Sequence, residues 1–233
     1  MMPFKRSVDD LPGDPRRLTL EYHLSQHVSP EGDRDGLDEW TVSPRVERFK
    51  ERTAGGVIGS MTLFRLRHDD RFSPFPWADA QTYDEDLFHL VLGLYDLGNG
   101  GYRQAFRDSV VSSDGDLLVL YDIRLDSAWR GFGLGPILAS QAIWALADGC
   151  SAVTVATHIS EYAGDERRSP THEQWTRANE KITALWESIG FRRRANPLGH
   201  LLDPGTTEAR DLRNEQRKKF DALADAYRAA LRG

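Results

Sequence analysis

Leu117 to Gly135 reads LLVLYDIRLDSAWRGFGLG, an apolar run that passes through Asp126 to Arg130 into a turn with glycine at 131, 133 and 135. The run has the make-up of a buried strand, and the residues after Gly135 open a helix. Glycine takes positive φ freely, whereas other L-residues lose roughly 1–2 kcal/mol there, and its bare Cα lets an anion reach the backbone N–H groups. The helix start adds unpaired N–H donors and the positive end of a dipole. Arg130-Gly131-Phe132-Gly133-Leu134-Gly135 can therefore seat a diphosphate, with a guanidinium beside it.

Spacing separates three phosphate-binding turns. A Walker loop needs Gly-Lys-Ser/Thr, but Pro136 and Ile137 follow Gly135. A dinucleotide fingerprint needs G-x-G-x-x-G, whereas the glycines here run G-x-G-x-G. R-x-x-G-x-G after a strand fits. It resembles the acetyl-CoA pyrophosphate loop of the GNAT superfamily of acyl-CoA-dependent N-acetyltransferases. A second segment, Asn179 to Phe191 (NEKITALWESIGF), carries Ile182, Leu185, Trp186 and Ile189 at i, i+3, i+4 and i+7, with Gly190 placed as a helix cap. It is similar to the family's Asn followed by a helix ending in Leu-Tyr-Glu-x-x-Gly-Phe, and the two motifs stand in the family's order.

Leu138, Ile143, Trp144, Leu146 and Ala147 give the segment after the turn a broad apolar face, and Cys150 to Thr157 (CSAVTVAT) reads as a buried strand. Strand, turn, helix and strand make a right-handed crossover between parallel strands. The resemblance implies an α/β (α+β) fold: a mostly antiparallel, twisted sheet with a splayed parallel strand pair, flanked by helices. It also implies that the pantetheine arm of acetyl-CoA lies between the splayed strands against the backbone of Ile123, Arg124 and Leu125. Arg130 and the N–H groups of Gly131, Phe132, Gly133, Leu134 and Gly135 would hold the pyrophosphate, with Asn179 contacting the arm or the acetyl end.

The amino-terminal half is read from periodicity. Residues 1–15 look like a loose tail, and Leu18, Leu20, Tyr22 and Leu24 alternate with polar residues as in a half-buried strand. Gly55-Gly56 separates the strand-like runs Trp40 to Lys50 and Val57 to Leu66, a hairpin. A Pro- and aromatic-rich loop, RFSPFPWADA, precedes a helix expected from Tyr83 to Tyr95. The family usually places its substrate-covering helices between the first and second strands, so this chain departs from that order. After Pro204 a helix with Leu212, Phe220, Leu223, Tyr227 and Leu231 on one side would pack on its own domain or on a second subunit, allowing a homodimer. The domain would span residues 16–205, and the helical extension 206–233.

The 233 residues are 39% hydrophobic, enough for a sizeable core, and carry a formal charge of −6. That charge argues against nucleic acid and is compatible with a cationic amine. Arg192-Arg193-Arg194 reads as a largely solvated cluster. The single cysteine, Cys150, excludes disulfides within the chain and reads as a buried, inert thiol. No apolar run approaches a membrane span and the opening MMPFKRSVDD lacks a leader's apolar centre, so a cytoplasmic location without membrane partners is expected.

The chemistry implied is direct attack of an amine on the acetyl thioester, through a tetrahedral intermediate, to amide and CoA. An amine of pKa near 10.4 must first lose a proton, about 4–5 kcal/mol uphill at neutral pH, and a placed base supplies part of that. Several family members use a glutamate on the fourth strand where this chain has Val119. Asp122 on the strand and His158 at the end of its neighbour are the candidate bases. The family's usual acid, a tyrosine, is replaced by Trp186, whose indole cannot protonate a thiolate. Either CoA leaves unassisted or Tyr162 serves. His158 and His172 match no usual metal-site spacing, and no metal is expected. Val119 and Trp186 also fit a catalytically silent acyl-CoA-binding module, and a third reading, an acetyltransferase acting on a protein partner, would need an open groove instead of a closed pocket.

Overall fold

The computed structural model describes residues 6–26, 36–47, 56–68, 75–155, 172–194 and 199–232. The strands are β1 (Leu18–Ser25), β2 (Leu37–Val46), β3 (Gly56–Val57), β4 (Gly59–Leu66), β5 (Asp116–Leu125), β6 (Cys150–Val155), β7 (Arg192–Arg193) and β8 (His200–Leu202). The helices are α1 (Pro76–Tyr83), α2 (Glu85–Leu92), α3 (Gln104–Arg107), α4 (Leu134–Leu146), α5 (His172–Glu187) and α6 (Thr207–Ala230). One eight-stranded sheet runs β1-β2-β4-β5-β6-β8-β7, with β3 beside β2. Every pairing is antiparallel except that of β5 with β6. This is the mixed α/β class that the alternation of strand and helix patterns implies, with a carboxy-terminal helix.

Two apolar layers enclose the sheet. On one face Leu118, Leu120 and Leu125 of β5 meet Leu138, Ala142 and Ile143 of α4 and Leu223 of α6. On the other, Leu117 and Val119 meet Leu87 and Val91 of α2, with Tyr95, Tyr102 and Phe106. β5 is apolar on both faces over Leu117 to Leu120 because helices cover both.

Several boundaries differ from the sequence reading, each for a local reason. The expected hairpin forms, but its second strand is interrupted at Ile58, which donates its N–H to the Pro44 carbonyl at 2.8 Å. Pro44 has no N–H to return, so a regular ladder cannot pass that point. The helix expected over Tyr83 to Tyr95 is shorter, and the Pro-rich loop before it contributes α1. Asp84 divides the two: its backbone is extended, and its Oδ1 accepts the Leu87 N–H at 3.0 Å as the cap of α2. Residues 6–15, read as a loose tail, hold a 3₁₀ turn at Val8–Asp10. Leu11 is buried there, and Asp14 receives Arg228 of α6 at 3.1 Å. α6 packs on α4 and on these turns, so it covers its own domain. Its inner face carries Ala209, Gln216, Leu223 and Ala224, while Leu231, expected on that face, is exposed.

Candidate functional site

The described part of β6 accompanies only the first half of β5. Asp116 to Leu120 lie beside Cys150 to Val155, while among the described residues Asp122 to Leu125 pair only with β4. The β4–β5 register shifts by one residue between Thr62 and Leu63, leaving Tyr121 as an extra residue on β5. Such a bulge bends the strand and breaks its alternation. Leu118 and Leu120 face α4 before it, Ile123 and Leu125 face α4 after it, and Asp122 and Arg124 turn to the α1–α2 side.

The bulge also sets which backbone groups are free. Asp126 donates its N–H to the Ile58 carbonyl at 2.8 Å. With the pairs Ser60–Arg124 and Thr62–Asp122, this phase turns the backbone of Asp122 and Arg124 toward β4. The backbone of Ile123 and Leu125 then points away from β4, to the side on which β6 lies. Of the three backbone positions named from the resemblance, two are turned to that side and Arg124 is engaged in the ladder.

At the end of β5, Arg130 donates Nε to the Leu125 carbonyl at 2.6 Å. Its side chain thus lies along that edge, and the residue is exposed. The turn that follows rises through Gly131 at φ +90° and Gly133 at φ +76°, conformations that disfavour any other residue. Gly133 is the cap of α4. Among the described residues no acceptor takes the N–H groups of Gly131, Phe132 or Gly133, and the first turn of α4 leaves those of Leu134 and Gly135 without an i−4 partner. Phe132 and Leu134, fully enclosed, anchor the turn from below. Arg6 braces it from outside: its guanidinium lies 5.0 Å from the Phe132 ring centre and donates to the Ser127 and Ala128 carbonyls at 3.3 Å. Nothing in the sequence pattern around Arg6 signals that contact.

The side-chain candidates divide. Asp122 Oδ2 is 2.9 Å from Arg124 Nε, so its carboxylate already carries a guanidinium. Val119 is buried against the α2 layer. Trp186 is buried with its ring edge-on to Phe191 at 5.7 Å, and its indole N–H has no acceptor among the described residues. His158, Tyr162 and the side chain of Asn179 lie outside the described residues.

Tyr121, which no motif in the sequence singles out, stands at the bulge. Its hydroxyl donates to Asp84 Oδ1 at 2.7 Å. Burial, then that hydrogen bond and the neighbouring carboxylates, push the phenol upward, so it stays protonated. Cys150 is intermediate in exposure, and burial pushes its thiol up to about 12, which keeps it a poor nucleophile. Among the described residues no group of three or more His, Cys, Asp or Glu could hold a metal ion, and no helix is long and apolar enough to cross a membrane.

No protein-family model matches the chain, and neither a curated protein nor a solved structure shows significant similarity to it.

Proposed function

We propose that this chain is an acetyl-CoA-dependent N-acetyltransferase of GNAT type that acetylates a primary amine of a small molecule or peptide in the cytosol. One observation carries the reading: the backbone of Ile123 and Leu125, turned away from β4, runs directly to Arg130 and to the N–H groups at the start of α4 that no described acceptor takes. An extended amide-bearing arm ending in a diphosphate is the ligand such a surface suits. The arm adds backbone hydrogen bonds along β5, and the diphosphate meets convergent N–H donors and a guanidinium.

With the arm so aligned, the thioester lies toward the bulge at Tyr121. Backbone N–H groups on the side of β5 turned away from β4 polarise its carbonyl as negative charge develops. The amine approaches from the α1–α2 side, where Asp122 offers a carboxylate to a cation. Asp122 is the one candidate base within the described residues, and it must exchange its contact with Arg124 to act. His158 and Tyr162 remain the alternative base and acid.

The buried Val119 and Trp186 favour a second reading, a module that binds acyl-CoA without turning it over. Purified protein with acetyl-CoA and a panel of amines and peptides separates the two. Thiol release with any acceptor supports the enzyme, whereas coenzyme binding without release across the panel supports the module. Arg130→Ala should weaken CoA roughly tenfold to a hundredfold, the loss of one charge-assisted contact. Failure of the native protein to bind CoA removes both readings.

A further inference from the structure

Strand β1 ends the sheet, and among the described residues it pairs with β2 alone. Glu47 donates its N–H to the Arg17 carbonyl at 3.1 Å, which sets the phase of that ladder. Odd-numbered residues of β1 turn their N–H and C=O to β2, and even-numbered ones turn them outward. Leu20, Tyr22 and Leu24 therefore hold out backbone donors and acceptors along an edge with no proline, lysine or bulge to blunt it. Their side chains share a face with a cleft of about 330 Å³ between β1, α4 and α6, and Tyr22 is 37% exposed.

We infer that a second copy of this chain closes this edge, its β1 pairing antiparallel across a two-fold axis through Tyr22. Backbone phase requires even-numbered residues to oppose even-numbered ones, so the axis must fall on a residue and not between two. An axis on Glu21 sets two carboxylates face to face, which destabilises a cross-strand pair. An axis on His23 sets two imidazoles together and leaves Glu21 against Ser25. The axis on Tyr22 places Leu20 opposite the partner's Leu24 and the two tyrosines together, all on the cleft side. On the other face it sets Glu21 opposite the partner's His23, twice, and Thr19 opposite the partner's Ser25. The sequence LTLEYHLS is thus self-complementary about its tyrosine: apolar residues meet apolar ones, and the Glu21 carboxylate, which also holds Arg45 at 2.8 Å within its own chain, meets a hydrogen-bonding imidazole. The open cleft leaves room for the partner's Tyr22 and Leu24. An isologous contact of this kind closes as a dimer and stops.

The test uses the full chain and does not depend on the acyl-transfer reading. Light scattering should report a dimer. Under mild oxidation Tyr22→Cys should form a disulfide-linked dimer, while Thr19→Cys should not, because its two copies would stand about 20 Å apart. His23→Glu should shift the protein to monomer, and Glu21→Lys combined with His23→Glu should restore the dimer. A monomer at all accessible concentrations would overturn the inference. So would cross-linking of Tyr22→Cys no faster than that of Thr19→Cys, or a dimer indifferent to the charge changes.

Discussion

Gly133 and Gly135 are neighbours in the motif but differ in what they require. Gly133 holds φ +76° at the cap of α4, so Gly133→Ala should cost about 1–2 kcal/mol and shift the N–H groups an anion would meet. Gly135 lies inside the first turn with ordinary helical backbone, and an added Cβ meets only Leu125 Cδ1 at 4.0 Å. Gly135→Ala should be neutral to mildly stabilising, by up to about 1 kcal/mol. Urea titrations of the two variants check the contrast, and equal losses would refute it. His200 makes a second residue-scale case. Burial first, and then Arg193, lower its pKa, with Glu187 opposing, and its Nε2 has no partner among the described residues. Below pH of about 6.5 the unfolded chain gains a proton there before the folded one does, so stability falls with pH in that window. His200→Gln should flatten the decline in melting temperature between neutral and mildly acid pH. An unchanged slope would show that His200 is not its source.

At the scale of the element, β5 explains both what the sequence disclosed and what it concealed. Its apolar run, the Gly-rich turn and the helix after it are local patterns, and the strand, α4 and β6 stand where those patterns put them. The bulge at Tyr121 is not local, since it arises from the pairing of β5 with β4, and period-2 reading of LLVLYDIRL contains no sign of it. For that reason the sequence could name Ile123 to Leu125 as a block but could not tell that Arg124 is engaged and its neighbours are turned away from β4. The same limit hid the division between α1 and α2 at Asp84, where a cap competes with continued helix. Tyr121 ties the two features together through its 2.7 Å hydrogen bond to Asp84. Tyr121→Phe should lower stability by about 0.5–1.5 kcal/mol in chemical denaturation. No change would mean that the hydrogen bond adds nothing to the packing of Tyr121, whose ring centre lies 5.3 Å from that of Phe64.

Across the whole molecule, the segment before β1 couples the fold to the turn. Leu11 joins the α4–α6 layer, Asp14 and Arg16 pair with α6, and Arg6 braces Phe132. Sequence reading missed this because short 3₁₀ turns have no periodicity and the contacts of this segment lie between 121 and 214 residues away. Leu11→Ala should cost about 2–4 kcal/mol of unfolding free energy. A cost below about 0.5 kcal/mol would mean that the segment contributes little to the core.

In the proposed complex acetyl-CoA lies along the side of β5 turned away from β4, with its diphosphate on the turn into α4. Amide resonances of isotope-labelled protein, followed as CoA is added, test it most directly. The account requires the largest shifts at Ile123, Leu125 and Gly131 to Gly135, with Arg124 and the amides of β1 nearly unmoved. Saturable binding that leaves Gly131 to Gly135 unshifted, or no binding, would contradict it.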